Sequence, residues 1–72
     1  MNAKQQLPER RRFQCKQDPE DAIILTGPDE DGDLDLQLEV ADPVNDGVCF
    51  SAEEARRLRD YLNRFLKKVG AE

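Results

Sequence analysis

The sequence predicts a small α+β domain: an antiparallel ββ hairpin packed on one C-terminal helix, preceded by a flexible basic arm. Three observations carry this. Leu34, Leu36, Leu38 and Val40 alternate with Asp35, Gln37 and Glu39, the period-two pattern of a strand with one buried face. Ala55, Leu58, Leu62, Phe65, Leu66 and Val69 recur at spacings of three and four, the apolar stripe of a helix. The first 21 residues sustain neither pattern.

Residues 1–21 therefore read as a flexible arm, rich in Gln, Lys and Arg, interrupted by Pro8 and Pro19 and anchored near its end by Phe13. The ββα domain occupies residues 22–72. Ala22 to Thr26 is a short apolar run closed by Gly27-Pro28, and the turn cluster Gly27 to Asp33 joins it to the Leu34–Val40 strand as a hairpin. A second turn cluster, Asp42 to Gly47, precedes Val48-Cys49-Phe50, which read as a short third strand. Ser51-Ala52-Glu53-Glu54 fits a capping box, in which Ser51 accepts the Glu54 N–H and the Glu54 side chain reaches back. Phe50 is placed to staple Ala55, Tyr61 lies at the edge of the stripe, and Gly70 stands at the C-terminal cap. The side chains of Leu34, Leu36, Leu38 and Val40 are expected to face Leu58, Leu62, Phe65 and Leu66. So small a core leaves homodimerisation open, with a monomer favoured.

Composition excludes most chemistry. Among 72 residues there is no His, one Ser (Ser51), one Thr (Thr26) and one Tyr (Tyr61), so a nucleophile–base pair has nothing to be built from. Cys15 and Cys49 lie 34 positions apart, too few ligands for a structural zinc site. A Cys15–Cys49 disulfide is possible, but Asn2 to Arg12 is polar and basic and gives Met1 no signal-peptide core. The expected compartment is thus cytoplasmic, with both thiols reduced. No apolar run approaches the ~20 residues of a membrane span. The acidic loop Asp29-Glu30-Asp31-Gly32-Asp33 fails as a calcium loop: aligned on Gly32, it puts Gly27 and Leu38 where the first Asp and the bidentate Glu belong. No enzyme, cofactor, metal or small-molecule substrate is expected; a binding protein is.

The net charge of −5 is partitioned. Residues 1–21 carry +1, residues 22–51 carry −8 with no Lys or Arg, and residues 52–72 carry +2. Arg10-Arg11-Arg12 forms the sharpest basic cluster, suited to forked contacts with carboxylate or phosphate. Direct nucleic-acid binding is not expected, because the isoelectric point near 4.7 and the lack of interleaved aromatics oppose it. A second basic surface lies on the helix, where Arg56, Arg57, Arg59 and Arg64 fall mostly off the stripe; Arg is enriched at interfaces.

In size, in a basic start Met1-Asn2-Ala3-Lys4-Gln5-Gln6 leading to Arg10–Arg12, and in a strand–strand–helix body ending in Ser51 to Val69, the chain resembles the small phage-encoded transcription regulators that bind bacterial RNA polymerase. That resemblance implies a non-enzymatic inhibitor of initiation that interferes with sigma-factor engagement and promotes terminator read-through. Lys4, Gln5, Gln6, Leu7, Arg10, Arg11 and Arg12 would be the main contact, and Arg56, Arg57, Arg59 and Arg64 the second. An alternative is an acidic decoy in which Asp29, Glu30, Asp31 and Asp33 block a nucleic-acid-binding host defence protein.

Overall fold

The computed structural model describes residues 8–41 and 47–71. Three strands, β1 (Glu9–Gln14), β2 (Ala22–Gly27) and β3 (Asp35–Glu39), form one antiparallel sheet in the order β1-β2-β3, packed against α1 (Ala52–Lys68). The α+β class, the β2–β3 hairpin and the C-terminal helix are as the sequence predicts.

The third strand is not where it was expected. Val48–Phe50 forms no strand; it runs alongside the end of β1, where the Lys16 N–H donates to the Cys49 carbonyl at 2.6 Å, and Phe50 packs on the core. The third strand is instead Glu9–Gln14, inside the segment expected to be a flexible arm. The physical reason is Phe13. Its ring is 1 % exposed and meets Tyr61 edge-on, with centroids 5.8 Å apart and planes at 77°, so β1 must pair with β2 to deliver it to the core. The chain beyond is also fixed, with the Cys15 N–H donating to the Asp21 carbonyl and the buried Asp21 carboxylate accepting the Ala41 N–H at 2.9 Å. The remainder of the expected arm, residues 1–7, lies outside the described residues.

Register assigns each side chain a face. Glu9, Arg11 and Phe13 share the helix-facing side with Ile23, Leu25, Leu36 and Leu38, since Phe13 pairs with Ile23, Arg11 with Leu25, and Leu25 with Leu36. Arg10, Arg12 and Gln14 share the opposite side with Ala22, Ile24, Thr26, Asp35, Gln37 and Glu39. Ile24 is nonetheless buried there. Opposite it in register, Arg12 reaches over β2: its Nε donates to Glu39 Oε1 at 2.8 Å and its Nη2 to the Pro19 carbonyl at 3.1 Å.

The helix contacts β1 more than β3, which corrects the expected burial of the leucine strand. Leu34 packs on the core, but Leu36 and Leu38 are 61 % and 53 % exposed on the unshielded edge strand. Leu36→Thr and Leu38→Thr, which keep a strand-favouring side chain, are expected to shift stability by less than about 0.5 kcal/mol each. Leu25→Ala, one strand inward, is expected to cost about 2–5 kcal/mol; urea denaturation midpoints check both.

The helix also rotates relative to its sequence stripe. Glu54, Leu58, Tyr61, Leu62, Phe65 and Lys68 turn inward, whereas Ala55 and Leu66 are exposed. Tyr61 thus moves from the expected edge to the centre, 1 % exposed, its hydroxyl donating to the Glu9 carbonyl at 2.7 Å. Ser51 caps as expected, accepting the Glu54 N–H at 3.1 Å. The reciprocal half of the capping box is absent: the Glu54 carboxylate accepts the Gln14 N–H at 2.9 Å, closing the outer edge of β1. At the other end Gly70, at φ +72°, completes a Schellman pair, its N–H donating to the Lys67 carbonyl and that of Ala71 to Leu66.

Candidate functional site: an arginine cleft between β1 and α1

Where α1 crosses β1, a shallow cleft of about 120 Å³ is lined by Arg11, Phe13, Arg57, Asp60 and Arg64. Arg11 enters from β1, held on the helix side by its register against Leu25. Arg57, Asp60 and Arg64 enter from one helix face, spaced by three and four. Phe13 forms the floor, and Tyr61 packs edge-on against it. The guanidinium carbon of Arg57 stands 5.6 Å from the Phe13 centroid, and that of Arg64 stands 5.9 Å from the Tyr61 centroid. Stacking over rings orients a guanidinium while leaving its edge donors for another group.

Each arginine is held from behind by a carboxylate. Arg64 forks onto Glu9, with Nε–Oε1 at 3.2 Å and Nη2–Oε2 at 2.7 Å. Arg11 reaches the same carboxylate at 3.3 Å and Lys68 at 3.5 Å. Arg57 Nη1 donates to both Glu54 oxygens, at 2.8 and 2.9 Å. Four cations (Arg11, Arg57, Arg64, Lys68) therefore face three anions (Glu9, Glu54, Asp60), and the cleft retains a net positive charge.

The titration shifts follow this geometry. The Arg64 hydrogen bond, reinforced by the charges of Arg64, Arg11 and Lys68, holds the Glu9 carboxyl below the usual range despite partial burial. Burial pushes Glu54 up, but the Gln14 N–H and Arg57 outweigh it and its carboxyl also ends low. Burial, with the nearby Glu9 charge, pushes the Tyr61 hydroxyl above its ordinary value. The groups lining the cleft are guanidinium, carboxylate and aromatic ring, a set that can grip and orient an anionic or carboxylate-bearing partner. Arg11, Arg57 and Arg64 are about half exposed, so their internal pairs are weak enough for an outside anion to compete.

Of the residues singled out in the sequence, the fold brings together Arg11, Arg57 and Arg64, merging part of the expected arm and part of the helix face into one surface. Arg10 and Arg12 lie on the opposite face of the sheet, Arg12 engaged with Glu39. Arg56 pairs with Glu53, and Arg59 with the cleft's Asp60, in exposed contacts. Lys4, Gln5, Gln6 and Leu7 lie outside the described residues. Sequence reasoning missed the aromatic floor and the two carboxylates behind it; the Arg57–Arg64 spacing of seven was the one available signal.

In the acidic loop, Asp29, Asp31 and Asp33 bring carboxylate oxygens within 4.8 Å of one another. The loop conformation explains this arrangement: Asp29 Oδ1 accepts the Asp31 and Asp33 N–H groups at 2.9 and 2.8 Å, and Gly32 takes φ +83°. No helix among the described residues is long and apolar enough to cross a membrane. Comparison of the chain with protein-family profiles, with curated proteins and with solved structures yields no match.

Proposed function

We propose that this chain is a non-enzymatic, cytoplasmic binding protein that docks on an acidic surface of a partner protein through the Arg11–Arg57–Arg64 cleft. We further propose that the partner is bacterial RNA polymerase, whose initiation it restrains. The observation that carries the docking surface is the convergence of three half-exposed arginines, from segments more than 40 residues apart, beside the buried and mutually packed Phe13 and Tyr61 rings. The partner class rests on the resemblance described above.

Docking through such a surface exchanges weak internal pairs for forked contacts to partner carboxylates, strengthened as the interface excludes water. Affinity should accordingly fall with added salt.

The test is copurification with bacterial RNA polymerase, comparing the native chain with the double variant Arg11→Glu/Arg57→Glu, whose folding is checked by circular dichroism. Deleting residues 1–12 would be uninformative, since it removes most of β1. Reversal of both charges is expected to weaken retention by about 10²-fold, in line with two lost contacts between charged groups. Undiminished retention of a folded double variant would remove the cleft from the mechanism. No retention of the native chain would remove polymerase. Neutralising Asp29, Glu30, Asp31 and Asp33 should leave retention intact; loss there would instead favour the acidic-decoy reading.

A further inference from the structure

Cys15 and Cys49, separated by 34 positions, are neighbours in the fold, and the mechanism above uses neither. Both are free thiols. Cys15 follows β1 and is 4 % exposed, whereas Cys49 lies two residues before the helix cap and is exposed. Their backbones are tied where the Lys16 N–H meets the Cys49 carbonyl at 2.6 Å. The Cys49 N–H in turn donates to Cys15 Sγ at 3.4 Å. That nitrogen is two bonds from the Cys49 Cβ, so the Cys15 sulfur sits directly against the Cys49 residue, the neighbourhood from which a disulfide can form.

We propose that Cys15 and Cys49 are a peroxide-oxidisable dithiol pair that closes to a disulfide and clips the start of α1 to the end of β1. The exposed Cys49 thiolate attacks hydrogen peroxide: an S–O bond forms, the O–O bond breaks and hydroxide leaves. The Cys15 thiolate then attacks the Cys49 sulfur, so that an S–S bond forms, the S–O bond breaks and a second hydroxide leaves. The two thiol protons convert the two hydroxides to water. Overall the dithiol loses two electrons and the peroxide gains them.

The second step is favoured by the surroundings of Cys15. The Cys49 N–H donates to its sulfur and, together with the backbone N–H groups of Asp18 and Gln17, holds the thiol below its ordinary value, against burial and the Asp21 charge. Burial keeps this nucleophile from peroxide while leaving it in reach of Cys49. The clip also bears on the arginine cleft without depending on its partner, because Phe13 and Gln14 lie within two residues of Cys15, and Glu54, which holds Arg57, lies five residues from Cys49.

The experiment equilibrates the full chain with mixtures of reduced and oxidised glutathione, in native buffer and in urea. The fraction of internal disulfide is read by alkylation and intact mass. Native contacts should raise the effective concentration of one thiol at the other by about 10²-fold over the denatured chain. Treatment of the native chain with hydrogen peroxide should give a monomer lighter by about 2 Da. In Cys15→Ser the same treatment should leave Cys49 over-oxidised or joined to a second chain. An effective concentration no higher in native buffer than in urea would overturn the proposal. So would a native chain that gains oxygen at Cys49, or dimerises through it, while Cys15 stays reduced.

Discussion

Phe13→Ala is expected to remove most of the stability of the domain. Truncating a buried Phe costs about 3–5 kcal/mol, and a 72-residue domain has only roughly 4–11 kcal/mol in total. Here the loss compounds. The Phe13 ring meets Tyr61 edge-on, supports the Arg57 guanidinium, and packs in one buried cluster with Leu25 and Tyr61. Phe13→Leu keeps most of the volume and should cost about 1–3 kcal/mol, the aromatic contact adding to a conservative repacking. Urea denaturation followed by circular dichroism checks both. A loss below about 1 kcal/mol for Phe13→Ala would show that β1 does not fold cooperatively with the rest, and would return residues 9–14 to the status of a detached arm.

That experiment bears on the largest difference between what the sequence suggested and what the chain does. Glu9-Arg10-Arg11-Arg12-Phe13-Gln14 has one apolar side chain in six, so no alternation marks it as a strand. Its strand character comes from outside the segment: from β2, which supplies a partner, and from a helix that supplies a hole for Phe13. By contrast the helix was legible because its signals are local. The Ser51 cap, the apolar spacing and Gly70 each act within a turn or two of where they stand.

Burial was less legible than secondary structure. The alternation in 34–40 correctly implied a strand, yet which strands the helix covers depends on how α1 sits over the whole sheet. It leans to β1, drawn by Tyr61 onto the Glu9 carbonyl and by Glu54 onto the Gln14 N–H, and Leu36 and Leu38 are left outside. Glu54 and Lys68 face inward for the same reason: Glu54 satisfies the Gln14 N–H, which an apolar stripe would have left without this acceptor, and Lys68 joins Arg64 and Arg11 around the Glu9 carboxylate. The candidate site shares this dependence. Every arginine in it was visible as a basic residue, but the selection of Arg11 over Arg10 and Arg12 follows from the parity of the β1–β2 register, and a one-residue slip would invert it.

Glu9→Gln tests how far the cleft is held together by that arrangement. Glu9 is 14 % exposed, accepts the Arg64 fork, and lies within 3.5 Å of Lys68 and 3.3 Å of Arg11. Substitution should cost about 1–2 kcal/mol at neutral pH, since the charge-assisted bonds are lost while the half-exposed cations regain water. The pH dependence gives the sharper signature. A carboxyl whose folded value is held below its unfolded value stabilises the fold fully above the unfolded value, near 4.5, and loses that contribution as pH falls through the folded value. The native chain should therefore weaken steadily as acid is added below about pH 5. Glu54, shifted in the same direction, should contribute to the same decline. Glu9→Gln should start lower but decline less, so that the two stability curves converge at the acid end. Parallel curves from neutral pH to pH 3 would mean that Glu9 titrates alike in the folded and unfolded chains, and that Arg11, Arg64 and Lys68 are not neutralised by it. Binding should respond in the opposite sense. With its internal carboxylate gone, the cleft gains one net positive charge, and Glu9→Gln should hold an acidic partner more tightly than the native chain does, an effect that added salt reduces.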